Sequence, residues 1–370
     1  MSAPIIIAAG GTGGHFFPAE ALAAELQRRG YRISLMTDAR SGEYASPAFA
    51  DAERFVLKGA GLAGRGLRRA TAGALALAAG TLQARKLLQA LRPMAVVGFG
   101  GYPCVPPLLA ARTLKQRPVT VLHEQNAVLG RANRMLARSA DVLALSFAGT
   151  TRVPPGARSE VVGNPVRPAL AVLVGRGFVA PQGSLRLLVL GGSLGARIFS
   201  EVVPEAVTLL PPALRARLSI VQQCRAEDLP RVRQTYEGLG IPAQLAPFFG
   251  DVAGHYETAH LVISRAGAST IAELACAGRP AVLVPLPHAI DDHQTANARA
   301  LAGAGAAKLM PQAECTPQNL AKVLEHWLGQ PDALKAAASA ASGLAAPDAA
   351  SHLADLVLSR AEARRSQEVS

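Results

Sequence analysis

The sequence predicts an α/β protein made of two doubly wound, parallel-sheet domains. Three observations carry that expectation. Short β-rich runs alternate with helical patterns: Ile5–Ala9, Ile33–Thr37, Ala95–Phe99, Val119–His123 and Val142–Ser146, then Leu187–Leu190, Ser219–Gln222, Leu261–Ser264 and Ala281–Pro285. Strands separated by helices of this length pair in parallel through crossovers. The opening of the chain also has an internal echo, since Ile5-Ile6-Ile7-Ala8-Ala9 runs into Gly10-Gly11-Thr12-Gly13-Gly14 and Leu187-Leu188-Val189-Leu190 runs into Gly191-Gly192-Ser193-Leu194-Gly195. Finally, 370 residues are too many for one ordinary core and suit two domains of roughly 150–200 residues with a cleft between them.

The first helix is the clearest element. Pro18 is expected at its entry, Ala19, Leu22, Ala23 and Leu26 recur at helical spacing, and Gly30 closes it. The prolines and glycine of Gly163-Asn164-Pro165-Val166-Arg167-Pro168 mark the linker. The domains expected are residues 1–164 and 165–350, followed by a C-terminal helix and solvated tail over 351–370.

Half of the residues are apolar and 17% are charged, with 35 Gly and 26 Pro, a composition that excludes wholesale disorder and collagen-like repeats. The net charge of +12 asks for an anionic partner. It is unevenly placed: residues 1–165 hold 20 Lys and Arg against 9 Asp and Glu, and the remainder 18 against 17. Only 4% of residues are aromatic, too few to interleave a basic surface with stacking platforms, so nucleic acid is not the expected partner. Residues 1–11 lack the basic and long apolar segments of a signal peptide, so the protein is expected to stay in the cytosol. The uncharged run Ala70–Ala84 falls short of the ~20 residues a span needs, and Pro93–Ala111 is broken by glycines and prolines. Cys104, Cys224, Cys276 and Cys315 are far apart and read as reduced, buried thiols without a metal or catalytic role.

Gly10-Gly11-Thr12-Gly13-Gly14-His15 lies where a strand meets a helix, which lets a ligand approach the backbone and exposes helix N-terminal amides to an anion. The dinucleotide fingerprint fails, because Phe16 stands where a third glycine belongs. A tight turn would explain the glycines alone; His15 adds a titratable group where open α/β sheets bind ligands. His123-Glu124-Gln125-Asn126 sets four polar groups at a strand end, ahead of a helix carrying Arg131, Arg134 and Arg138. Capping or hydrogen bonding competes there with a metal site, for which nearby ligands at suitable spacing are missing. Ser264–Glu273 reads as strand, small-residue turn and helix start. The free amides at Ala268, Ser269 and Thr270 could hold a diphosphate and Glu273 a ribose diol, the alternative being a capped helix. Asp291-Asp292-His293-Gln294 heads the next helix, and Gln294 is the residue expected to reach a sugar hydroxyl.

These segments together closely resemble the MurG family, the undecaprenyldiphospho-muramoylpentapeptide β-N-acetylglucosaminyltransferases of bacterial cell-wall synthesis. The matching blocks are Gly10–His15 with Pro18, Gly100-Gly101-Tyr102, His123–Ala127 continuing to Asn133-Arg134, Gly163–Arg167, Gly191-Gly192-Ser193-x-Gly195-Ala196-Arg197, Ser264–Glu273 and Asp291–Asn297. The resemblance implies the GT-B fold, an acceptor domain followed by a UDP-sugar domain. It implies transfer of GlcNAc from UDP-GlcNAc to the MurNAc 4-hydroxyl of lipid I, giving lipid II with inversion, without cofactor or metal. It assigns Thr12, Gly13, Gly14, Asn126, Arg167, Ser193 and Gln294 to the donor site, Glu273 to the ribose and the Phe249 backbone to uracil. Leu194 departs from the family's usual glutamine. His15 is the expected general base with Glu124 in reserve, and Arg167 with the second domain's helix N-terminus (Ala268, Ser269, Thr270) is expected to steady the diphosphate.

The lipid acceptor accounts for the basic first half. Gly59–Lys86 sets Leu62, Leu67, Leu75, Leu77 and Leu82 beside Arg65, Arg68, Arg69, Arg85 and Lys86, an apolar patch with a basic rim for an anionic membrane surface; an ordinary surface loop and amphipathic helix is the alternative. Tyr102 joins the acceptor side. The location implied is peripheral, on the cytoplasmic face of the inner membrane, with other cell-wall synthesis proteins as partners. Another GT-B UDP-sugar enzyme, such as a UDP-GlcNAc 2-epimerase, is the second reading, and a non-catalytic nucleotide-binding or membrane-scaffolding module the third.

Overall fold

The computed structural model describes residues 3–10, 13–39, 46–57, 67–192 and 195–369, with the side chains of 67–70 and 368–369 left aside. The chain divides into two compact units, Met1–Arg167 with Asp348–Ser370, and Pro168–Pro347.

The first unit is a 7-stranded parallel sheet of β1 (Ile5–Ala8), β2 (Ile33–Thr37), β3 (Glu53–Val56), β4 (Ala95–Gly98), β5 (Val119–Glu124), β6 (Val142–Leu145) and β7 (Ser159–Val161), ordered β3-β2-β1-β4-β5-β6-β7. Its helices are α1 (Gly13–Arg28), α2 (Leu67–Leu91), α3 (Val105–Arg112) and α4 (Arg131–Leu136). A parallel sheet covered on both faces needs continuous apolar strands, and β1 supplies one. Ile5 and Ile7 pack with Phe16, Leu22 and Leu26 of α1, while Ile6 and Ala8 point the other way, towards Leu88 of α2 and Leu108 of α3. Each buried isoleucine contributes roughly 1.5–3 kcal/mol.

Helix α1 begins at Gly13, inside the glycine turn, so Pro18 lies within the helix and not at its entry. The proline has no N–H to offer the Gly14 carbonyl, a loss confined to the second turn. The expected closure holds: Gly30 adopts φ 81°, with Gly30 N bonded to Gln27 O and Tyr31 N to Leu26 O, the pattern of a Schellman motif.

The second unit is a 6-stranded parallel sheet of β8 (Leu185–Leu190), β9 (Leu218–Gln223), β10 (Ala243–Ala246), β11 (Leu261–Ser264), β12 (Ala281–Leu283) and β13 (Ala307–Leu309), ordered β10-β9-β8-β11-β12-β13. Around it lie α5 (Pro168–Ala171), α6 (Arg197–Thr208), α7 (Pro212–Arg215), α8 (Leu229–Gly238), α9 (Val252–Thr258), α10 (Ala268–Ala277), α11 (His293–Gly303), α12 (Pro317–Leu328) and α13 (Pro331–Ser342). Phe199, Val203 and Val207 of α6 and Leu320 and Leu324 of α12 build its core.

The chain then returns to the first unit as α14 (Ala349–Val369), which spans the stretch where a C-terminal helix and a solvated tail were expected; residues 362–367 are helical and mostly exposed. Leu353, Ala354, Val357 and Ala361 are buried in the same cluster as α1. Arg29 of α1 pairs with Asp355 and donates to Ser351 Oγ at 2.6 Å. Four strands were not expected: β3, β7, β10 and β13. All four are sheet edges; β3 and β7 are largely exposed, β10 and β13 mostly half-buried or buried with one exposed residue each, and all four are short segments interrupted by polar or small residues.

In both sheets the strand order reverses beside the first strand, between β1 and β4 and between β8 and β11. A doubly wound sheet binds its ligand at the carboxyl ends of strands at such a switch point.

Candidate active site

At the first switch point the turn after β1 meets the turn after β4. Gly100 and Gly101 adopt φ 78° and 67°, and a Cβ on either would come within 3.4 Å of the His15 imidazole. Glycine at both positions therefore serves a left-handed turn and close passage over the ring. His15 Nδ1 lies 3.0 Å from Gln125 Oε1. Gln125 Nε2 lies 3.1 Å from Phe99 O and 3.0 Å from His123 Nδ1, and His123 Nε2 lies 3.0 Å from Gly163 O. His123 is fully buried, and burial pulls its pKa down to about 4.

Glu124 is buried and accepts four hydrogen bonds. Oε1 takes Asn126 N and Asn126 Nδ2, both at 3.0 Å, and Oε2 takes Gly130 N at 2.8 Å and Asn133 Nδ2 at 2.9 Å. A carboxylate so engaged fastens the 125–133 segment and aims Asn126. It is not left with an acceptor for a substrate proton, so the reserve role as base does not suit this geometry. The Arg167 guanidinium stacks 4.4 Å from the Phe17 ring centre, and a Cβ on Gly13 would touch that same ring, which puts a fixed cation beside the first glycine turn. Gly14 is exposed and Asn126 half-buried there. The Tyr102 hydroxyl is buried without a hydrogen-bond partner among the described residues, and burial raises its pKa.

At the second switch point Gly191 leaves no room for a side chain, since a Cβ would stand 2.3 Å from Ala196 N. Gln223, to which sequence reasoning gave no role, braces this turn: Oε1 accepts from Gly191 N and Nε2 donates to Gly192 O and Pro247 O, each at 3.0 Å. Its only sequence signal is a glutamine at the carboxyl end of a strand, the place Gln125 occupies in the first unit. Ala268, Ser269 and Thr270 form the first turn of α10 after Gly267. The Ser269 and Ser264 hydroxyls are buried and without partners among the described residues. Glu273 is buried on the same helix and accepts from Tyr256 OH at 3.3 Å. Gln294 Oε1 accepts from Leu286 N at 2.9 Å and Ala266 N at 3.3 Å, which ties two turns together and leaves the amide nitrogen as its donor. Just ahead of α11, Asp291 and Asp292 both adopt positive φ, 56° and 54°, a costly conformation that asparagine and aspartate tolerate best. Phe249 is buried, with its ring edge-on to His255 at 4.8 Å.

Thr12, Ser193, Leu194 and Arg65 lie outside the described residues, and Arg68 and Arg69 are placed on α2 by backbone only. Farther along α2, Leu75 and Leu82 are 72% and 59% exposed, one above the other at i and i+7, with Arg85 and Lys86 exposed in the next turn. Among the described residues no helix is long and apolar enough to cross a membrane, and no group of His, Cys, Asp and Glu side chains is placed to hold a metal ion.

Known proteins match this arrangement along nearly the whole chain. Residues 5–144 match the glycosyltransferase family 28 N-terminal domain and residues 186–353 its C-terminal domain. The UDP-N-acetylglucosamine–N-acetylmuramyl-(pentapeptide) pyrophosphoryl-undecaprenol N-acetylglucosamine transferase of Granulibacter bethesdensis is 60% identical over 96% of this chain and 93% of its own. The crystal structure of Acinetobacter baumannii MurG superposes with a TM-score of 0.79 at 33% identity, covering 97% of this chain and all of that one. A putative UDP-N-acetylglucosamine 2-epimerase from Listeria monocytogenes superposes at 0.66 with 16% identity, covering 98% of this chain and 97% of that one, a likeness of fold alone. The two Rossmann-like units thus form a GT-B fold, and the chain belongs to glycosyltransferase family 28.

Proposed function

We propose that the protein transfers GlcNAc from UDP-GlcNAc to the MurNAc 4-hydroxyl of undecaprenyl-pyrophosphoryl-MurNAc-pentapeptide, lipid I, giving lipid II with inversion. The observation that carries this is the 60% identity, over nearly all of both chains, to a transferase named for that reaction. The epimerase reading rests on likeness of fold only.

The chemistry asks for a base at the acceptor and positive potential at the departing diphosphate. His15 supplies the base. Its imidazole takes the acceptor hydroxyl's proton as the new C–O bond forms at the anomeric carbon, and the bond to the β-phosphate oxygen breaks with its electron pair leaving on UDP. The first-turn amides of α10, with Ala268, Ser269 and Thr270, and the Arg167 guanidinium meet the developing charge. Glu273 receives the ribose hydroxyls, the Phe249 backbone the uracil, and Gln294 Nε2 and Asn126 the sugar. Gly13 and Gly14 with Thr12, and Ser193 in the second turn, let the donor approach closely. Tyr102 lies on the acceptor side.

The acceptor lipid is held in a membrane, and the exposed Leu75 and Leu82, followed by Arg85 and Lys86 and preceded by Arg65, Arg68 and Arg69, support peripheral attachment to an anionic surface on the cytoplasmic face of the inner membrane. The test is direct. Purified protein with labelled UDP-GlcNAc and a lipid I analogue should form the disaccharide in the presence of EDTA, and His15→Ala should lower kcat by about 10²–10⁴-fold. Absence of product from the unmodified protein would refute the assignment. Leu75→Glu with Leu82→Glu should abolish binding to anionic vesicles and leave UDP-GlcNAc binding intact.

A further inference from the structure

We infer that Gln125 is a positioning residue that fixes the tautomer of His15, leaving the imidazole Nε2 as the lone pair that accepts the substrate proton. The inference rests on the proposed role of His15 as base. It begins from backbone carbonyls, which can only accept. Gln125 Nε2 lies 3.1 Å from Phe99 O and 3.3 Å from His123 O, so this end of the amide is the NH2 group and the opposite end the oxygen. That oxygen, 3.0 Å from His15 Nδ1, requires a proton on Nδ1, and in the neutral ring Nε2 is then bare. His123 fits the same direction. Its Nε2, 3.0 Å from Gly163 O, carries the proton, and its Nδ1 accepts from Gln125 Nε2 at 3.0 Å.

The relay therefore runs one way, from His15 N–H to Gln125 C=O and from Gln125 N–H to His123, with His123 N–H ending on Gly163 C=O. A carboxylate in the place of Gln125 would orient the ring and add a charge. The amide orients it without one, and Nδ1–H remains in place while Nε2 gains and loses its proton. Reversing the amide would set its oxygen against the Phe99 and His123 carbonyls and the bare Nδ1 of His123, so the wrong tautomer of His15 is penalised through three contacts.

Two measurements test this. In protein labelled with ¹⁵N-histidine, long-range proton–nitrogen correlation should give His15, assigned through His15→Ala, the signature of a protonated Nδ1 and bare Nε2, with His123 the reverse. A His15 with its proton on Nε2 overturns the inference, and this reading needs neither substrate nor a Gln125 variant. In the transfer assay Gln125→Leu should lower kcat by on the order of 10²-fold, and Gln125→Leu combined with His15→Ala should be no slower than His15→Ala alone within about threefold, because a base that has been removed cannot be positioned. Multiplying losses would mark Gln125 as merely structural and overturn the positioning role. A correct His15 signature in a protein that forms no disaccharide would refute the proposed function and leave the tautomer assignment standing.

Discussion

Glu124→Gln separates a loop-holding carboxylate from a catalytic one. The change keeps the side chain's shape and turns one acceptor into a donor. In the native protein each carboxylate oxygen receives two N–H groups at 2.8–3.0 Å. Whichever way the new amide turns, its NH2 faces two donors, and two hydrogen bonds are lost. A bond to a charged acceptor contributes about 1.5–3 kcal/mol, so the loss is roughly 3–6 kcal/mol before the loop relaxes. Taking the lower figure, the thermal midpoint of the first unit should fall by about 6–12 °C, at ~2–4 °C per kcal/mol for a unit of this size. Scanning calorimetry measures that shift, and steady-state kinetics should show a raised KM for UDP-GlcNAc as Asn126 loses its anchor. A variant with an unchanged midpoint and KM but kcat lowered about 10³-fold, in the range of a lost general base, would refute this account and restore Glu124 as the base.

Three further outcomes are expected. Burial holds the His123 pKa at about 4, below the ordinary imidazole value near 6.5, so the unfolded chain takes up a proton in that interval that the folded protein refuses. Stability conferred by a neutral His123 is complete above pH ~6.5 and declines by about 3 kcal/mol as the pH falls to 4; denaturant titrations of the native protein and His123→Asn should converge over that range. Gly191→Ala places a methyl against Ala196 N, where the ideal separation is only 2.3 Å, and should abolish UDP binding by calorimetry while circular dichroism stays native. Val357→Ala on α14 opens a cavity under α1 and should cost roughly 1–3 kcal/mol in urea unfolding followed by a probe on the first unit; no change would mean that α14 packs elsewhere in solution.

The interior of both sheets was legible because a strand covered on both faces must be apolar throughout, as Ile5-Ile6-Ile7 and Leu187-Leu188-Val189 are. The edges were not. Glu53–Val56 and Ser159–Val161 are held mainly by one neighbouring strand's hydrogen bonds, which need no particular side chain. The glycine turns, His15 and the His123–Asn126 block drew attention to a candidate site because they are polar or permissive where packing would favour neither. What each polar group does was hidden: Glu124, read as a reserve base, is spent on four amides, and Gln125 and Gln223 act through partners far away in sequence. The helical spacing of Leu353, Ala354, Val357 and Ala361 is visible in the sequence, but its partner lies in residues 13–28.

That return of the chain has a consequence for biosynthesis. Residues 168–347 are translated as one uninterrupted block and hold all of their own unit, whereas the first unit waits for residues 348–369 to cover the face of α1 and the sheet beneath it. Domains usually mature from the N-terminus as synthesis proceeds. Here the unit begun first is finished last, and until then Phe16, Leu22 and Leu26 stand beside an uncovered apolar surface. A chaperone that shields the nascent chain has most to do while residues 168–347 are being made.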